Sequence, residues 1–199
     1  PTYGYWYQRF NHGLHKRMGD VVRSDFAITA SIMNALLATL NEEWEDAANW
    51  ETRAKIAEMA FVLVSGYCCG LRGEEIVKAD LAGFLKYLEV GKQDAEHPHV
   101  IVPLIGRIKG ETGERYHMCV LARETKSGIQ GGIWADRLEA VNKERGRHRG
   151  PLFRTKKGHR AKIGDFENEF LERLVRLKIA RPGLFEPGID IAESYSLFR

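Results

Sequence analysis

Apolar positions along the chain fall into two periods. From about Thr29, Met33, Leu36, Leu37, Leu40 and Trp44 recur at spacings of three and four, which draws one face of a helix. Thr29 or Ser31 can cap its start, since either hydroxyl can accept from an unpaired N–H of the first turn. Glu42, Glu43, Glu45 and Asp46 crowd its far end, against the helix dipole, and are expected to face solvent. A second helix is predicted from about Thr52 to Cys69, with Ile56, Met59, Ala60, Leu63 and Tyr67 inward and Gly70 as its stop. The stretch Gly70-Leu71-Arg72-Gly73-Glu74-Glu75-Ile76 reads as a tight turn into a short helix that ends at Asp80.

The period then shortens to two. Phe84–Val90, His99–Ile108 and Arg115–Leu121 read as three strands, the last two joined by the Gly-rich loop Lys109–Glu114. Pro103 has no N–H to donate, so its strand should lie at an edge or be interrupted there. After a loop over Thr125–Gly131, helical spacing returns at Ile133, Trp134, Leu138 and Val141. It returns again at Phe166, Phe170, Leu171, Leu174 and Leu177, before Pro182, Gly183, Pro187 and Gly188 break the chain ahead of a short helix near Ile191. Residues 1–24 are aromatic and basic without a period, and read as a linker or the end of a preceding DNA-binding domain. The fold class expected is mainly α with a small three-stranded antiparallel sheet, an α+β domain over residues 25–199.

Composition narrows the picture. The 199 residues, 44% hydrophobic and 10% aromatic, can form a core and are not those of a disordered chain. The longest apolar run, Met59–Val64, is six residues, far short of the roughly 18 of a membrane span. No initiator Met or signal-peptide pattern is present and both ends look cut, so the chain reads as a fragment. Cys68, Cys69 and Cys119 do not make a disulfide scaffold, which points to an intracellular protein, nuclear if eukaryotic and otherwise cytoplasmic.

Charge changes the picture more. Between Lys143 and Lys162 lie nine basic residues and one acidic, so that the formal net charge of +3 splits into +8 here and −5 elsewhere. Such a footprint suits a polyanion, with Arg147, Arg149, Arg154, Lys156, Lys157 and Arg160 as candidate phosphate contacts; a solvated basic loop is the alternative. Arg72 stands in a Gly-flanked turn with Glu75 three residues on, which suits a guanidinium held for a bidentate oxyanion; a plain surface ion pair is the alternative. Lys109 opens the hairpin loop, where it could swing to a ligand and donate a proton, or simply keep the turn soluble. His97, His99, His117 and Cys119 flank the same hairpin and raise the question of Zn²⁺, against polar strand ends and a half-buried thiol; no metal site and no cofactor are assigned.

Gly70–Ile76, the helix-helix-sheet order and the lysine hairpin together resemble the catalytic domain of tyrosine recombinases of the phage-integrase type. Gly150-Pro-Leu-Phe153 and Ile191–Arg199 resemble divergent members from eukaryotic mobile elements. The resemblance covers about residues 25–199. It implies metal-free DNA strand exchange or integration through a 3′-phosphotyrosyl intermediate, on double-stranded DNA, within a tetramer. Arg72 would be the first phosphate clamp, Glu75 its buttress and Lys109 the general acid. Arg199 would fall at the family's histidine position, with the second arginine and the tyrosine beyond it. Tyr3, Tyr5, Tyr7, Tyr67, Tyr87, Tyr116 and Tyr195 do not occupy the nucleophile's position, so this chain alone is not expected to cleave DNA. The rival readings are a catalytically inactive DNA-binding protein of the same fold and an interaction module with a hairpin metal site.

Overall fold

The computed structural model describes residues 27–105, 116–155 and 157–197. In chain order the elements are α1 (Ala30–Asp46), α2 (Trp50–Cys69), α3 (Gly73–Ile76), α4 (Leu81–Gln93), β1 (His99–Ile105) and β2 (Tyr116–Ala122). They continue with α5 (Gly131–Glu144), α6 (Gly164–Ala180), a 3-10 turn (Pro182–Leu184) and α7 (Ile191–Ser194). The architecture is mainly helical with a small antiparallel sheet. No helix among the described residues is long and apolar enough to cross a membrane.

Helix α2 is the centre. Its residues from Ile56 to Gly66 are all buried, on every side rather than along one stripe, as befits a helix packed all round. Helices α1 and α5 pack along it and β2 packs against it. Tyr67, expected inside, is only half-buried. Thr29 Oγ1 caps α1 by accepting from Ile32 N–H at 3.2 Å. Asn49 Oδ1 caps α2 through Thr52 N–H at 2.9 Å, and Gly70 ends that helix at φ +62°, where a Cβ would be strained. The aromatic heart is continuous: Phe61 meets Phe84 edge-on at 5.3 Å and Phe153 at 6.5 Å, and Phe153 meets Phe166 edge-on at 5.8 Å.

The expected strand over Phe84–Val90 is instead part of α4. Leu81, Phe84 and Leu88 are buried and Leu85 partly so, a spacing of three and four that outweighs the short alternation around Lys86. Asp80 belongs to this helix and does not end the one before. Its Oδ2 accepts from Gly83 N–H at 2.8 Å, so it is an N-cap, while α3 stops at Ile76. The acidic end of α1 is not merely solvated either. Glu43 receives both Nη atoms of Arg173 at 2.7 and 2.9 Å, and Glu45 receives Arg137 at 2.7 Å.

The sheet therefore has two strands among the described residues, not three. They pair antiparallel from His99 opposite Ala122 to Ile105 opposite Tyr116. Where a third strand was expected, β1 receives only a short strip. Ala79 bridges Leu104, and Asp80 N–H donates to the Pro103 carbonyl at 3.0 Å. Pro103 leaves β1 unbroken because its carbonyl, not its missing N–H, makes this contact. The strip's other side holds residues 150–152: Leu81 N–H donates to Gly150 O and Leu152 N–H to Ala79 O, both at 2.9 Å.

Gly91 shows how tightly α4 lies on β1. A methyl at Gly91 would overlap the His99 carbonyl oxygen, a backbone atom that cannot rotate aside. Gly91→Ala is expected to destabilise by about 1–3 kcal/mol from overpacking, although alanine gains about 1 kcal/mol in helix propensity. Urea denaturation decides it, since a stabilised variant would mean that α4 and β1 stand further apart.

Candidate phosphate-binding surface

Arg72 is the cap residue of α3, and Glu75 holds it twice. Glu75 Oε2 accepts the Arg72 backbone N–H at 2.9 Å, and Oε1 lies 3.7 Å from Nη1. The Glu75 side chain is 10% exposed and that of Arg72 55%, so the carboxylate is an inner post and the guanidinium reaches outward. The neighbouring Gly73 is where distant pieces converge. A Cβ there would strike the Ile163 side chain and lie 3.1 Å from the Leu197 carbonyl. The turn carrying Arg72 thus meets both the exit of the basic segment and the last described residues. Lys109, Lys156 and Arg199 lie outside the described residues.

The basic segment divides in two. Its first part points inward. Arg147 is 6% exposed, with Nη1 donating to Asn142 Oδ1 at 2.7 Å and Nη2 to Pro151 O at 2.6 Å. Burial, then the nearby charge of Arg154, pulls its pKa down to about 10. In this arrangement Arg147 is not the exposed phosphate contact that the charge run suggested. Arg145 donates to Glu58 Oε1 at 2.9 Å and lies over the Trp50 ring at 5.0 Å. Lys143 pairs with Glu139 at 2.8 Å.

The second part points outward. Arg149, Arg154, Lys157, Arg160 and Lys162 are exposed, with no carboxylate at ion-pair distance among the described residues. Three of them belong to a small hairpin. Thr155 N–H donates to His159 O and Gly158 N–H to Thr155 O, both at 2.9 Å, and Gly158 takes φ +85° at the turn. Ala161 N–H donates to Phe153 O at 3.1 Å and closes the root, where both residues are buried. Arg154 and Arg160 stand directly opposite one another as a bridged antiparallel pair. Directly opposed like charges cost stability, and an anion between them would remove that cost.

Among the described residues the other reactive groups stand apart. His99 stands opposite Ala122 while His117 stands opposite Leu104, so the strand register places the two histidines toward opposite ends of the sheet. Among the described residues no three His, Cys, Asp or Glu could share a metal ion. Burial raises the thiols of Cys68, Cys69 and Cys119, Cys69 to about 12, which leaves them protonated at neutral pH. Tyr195 is buried and packs edge-on against Phe185 at 6.1 Å. The residue missed in the sequence is Glu58, a lone carboxylate between Ala57 and Met59 in the apolar run of α2. No family model, curated protein or solved structure matches the chain.

Proposed function

We propose that this chain binds duplex DNA through the basic hairpin and its flanks, and presents Arg72 to a backbone phosphate in the manner of a tyrosine recombinase catalytic domain. The observation that carries the reading is the opposed, exposed pair Arg154 and Arg160, flanked by Arg149, Lys157 and Lys162 and offset by no carboxylate partner among the described residues. A polyanion repays what that arrangement costs the folded chain.

Arg72 supplies the second half. A guanidinium is always charged and its fork matches two phosphate oxygens. Fixed by Glu75 from below, it can meet the charge that develops on a pentacovalent phosphorane without reorganising. In this reading Lys109 protonates the leaving 5′ oxygen and Arg199 adds a further donor. The tyrosine that forms the phosphotyrosyl bond is assigned to none of the seven in this chain. The biological role is then site-specific recombination or integration, with self-association on DNA.

Duplex binding measured by fluorescence anisotropy at several salt concentrations tests this. Four or five phosphate contacts give a slope of log K against log salt of about −4, from roughly 0.9 per contact. Arg72→Ala is expected to weaken binding several-fold and to flatten the slope by about one. No binding, or a slope near zero, would overturn the reading.

A further inference from the structure

Among the described residues, Glu58 is the buried carboxylate on which the arginines leading into the basic hairpin act. It sits mid-way along α2, among Ala54, Ala57, Phe61 and Val62, which are buried with it. Burial holds its pKa above the usual carboxylate value, and the charges of Arg145, Arg147 and Arg154, with the Arg145 hydrogen bond, offset only part of that rise. All three arginines come from the segment about 90 residues later. Only Arg145 bonds to it directly, at 2.9 Å. Arg147 donates to neutral acceptors alone, and its Nε has no hydrogen-bond partner. A buried guanidinium with neutral partners is costly unless a counter-charge stands near. The charge of Glu58, held by Arg145 at 2.9 Å, acts on Arg147 in that sense. Arg147 in turn holds the Pro151 carbonyl, and residues 150–152 pair with Ala79–Leu81 just before the hairpin begins.

We infer that Glu58 is a positioning residue for DNA binding: by gathering Arg145 and Arg147 inward it fixes the root of the 154–160 hairpin against α2, which sets where the exposed arginines meet phosphate. This rests on the DNA-binding reading above. It makes an unusual prediction of sign. Glu58→Gln keeps the shape and the acceptor oxygen and removes one negative charge. Simple electrostatics then demands tighter DNA binding. A positioning role demands weaker binding, because Arg145, Arg147 and Arg154 lose their shared counter-charge and repel.

The experiment pairs duplex affinity across salt with amide hydrogen exchange on the full chain. For Glu58→Gln the expected results are about a five- to tenfold weaker affinity, with a slope flatter by one to two contacts. The amides of Leu152 and Ala161 should exchange faster, with those of α2 protected as before. Glu58→Asp, which keeps the charge, should recover part of the affinity and supplies the same test if the glutamine variant fails to fold. Equal or tighter binding with unchanged exchange at Leu152 and Ala161 would overturn the inference. If the unaltered chain binds no DNA, the functional reading falls with it; faster exchange at the two amides would then leave Glu58 as an anchor of the hairpin alone, and the positioning role for DNA would be refuted.

Discussion

Replacing Arg149, Arg154, Lys157 and Arg160 together by alanine is expected to lower duplex affinity by about 10²–10³-fold near physiological salt and to flatten the salt slope by about three to four. Each side chain is exposed and none has a carboxylate at ion-pair distance among the described residues, so little of the fold depends on them. Surface changes of this kind usually stay within about 0.5 kcal/mol each. Here the sign should even favour the variant, because Arg154 and Arg160 no longer oppose one another across the bridge. The expected thermal midpoint is therefore unchanged or raised while binding collapses. A control variant neutralising Lys86 and Lys126, exposed cations remote in sequence from the hairpin, should lose far less. If the control loses as much, binding follows net charge and not this surface. If the fourfold variant keeps its affinity, the hairpin does not touch DNA.

What sequence could and could not foretell divides along the range of the interactions. Spacing within one helix is local, so α1, α2, α5 and α6 were legible from Met33–Trp44, Ile56–Leu63, Ile133–Val141 and Phe166–Leu177. The Arg72–Glu75 contact was legible for the same reason, being three residues apart on one turn. At Phe84–Val90 seven residues fit two periods, and what selects the helix is Asp80 capping Gly83 and the packing of Phe84 on Phe61. The zinc question turned on strand register, which sets His99 and His117 opposite different partners and which residue spacing alone does not fix. The basic run was visible as charge. Its division into inward Arg145 and Arg147 and outward Arg154 and Arg160 turns on tertiary and loop partners that charge counting does not see, such as Glu58, 87 residues from Arg145 along the chain, and the Pro151 carbonyl. The proposed likeness to the recombinases rests on the Gly70–Ile76 motif and on helices that precede an antiparallel sheet, while the first of the three strands it called for is part of α4.

Phe153→Ala should produce the opposite pattern to the hairpin variant. Phe153 is fully buried and bridges the core, with Phe61 on one side at 6.5 Å and Phe166 on the other at 5.8 Å. Truncating such a ring removes its burial and leaves a cavity that helices α2 and α6 cannot both close, at a cost of about 3–5 kcal/mol. Against a total stability of about 5–15 kcal/mol this is a large share, and urea denaturation should show a midpoint shift to match. The hairpin's bonds are backbone ones from Thr155, Gly158 and Ala161 to the His159, Thr155 and Phe153 carbonyls, with one more from Thr155 Oγ1 to His159 O at 3.5 Å, and alanine at position 153 retains its carbonyl acceptor. At a temperature where the variant is still folded, its salt slope should therefore match that of the unaltered chain. A loss under about 1 kcal/mol would mean that the aromatic contacts do not bear on stability. A flattened slope with a normal fold would mean that the ring itself, and not Glu58 with its arginines, holds the basic hairpin in register.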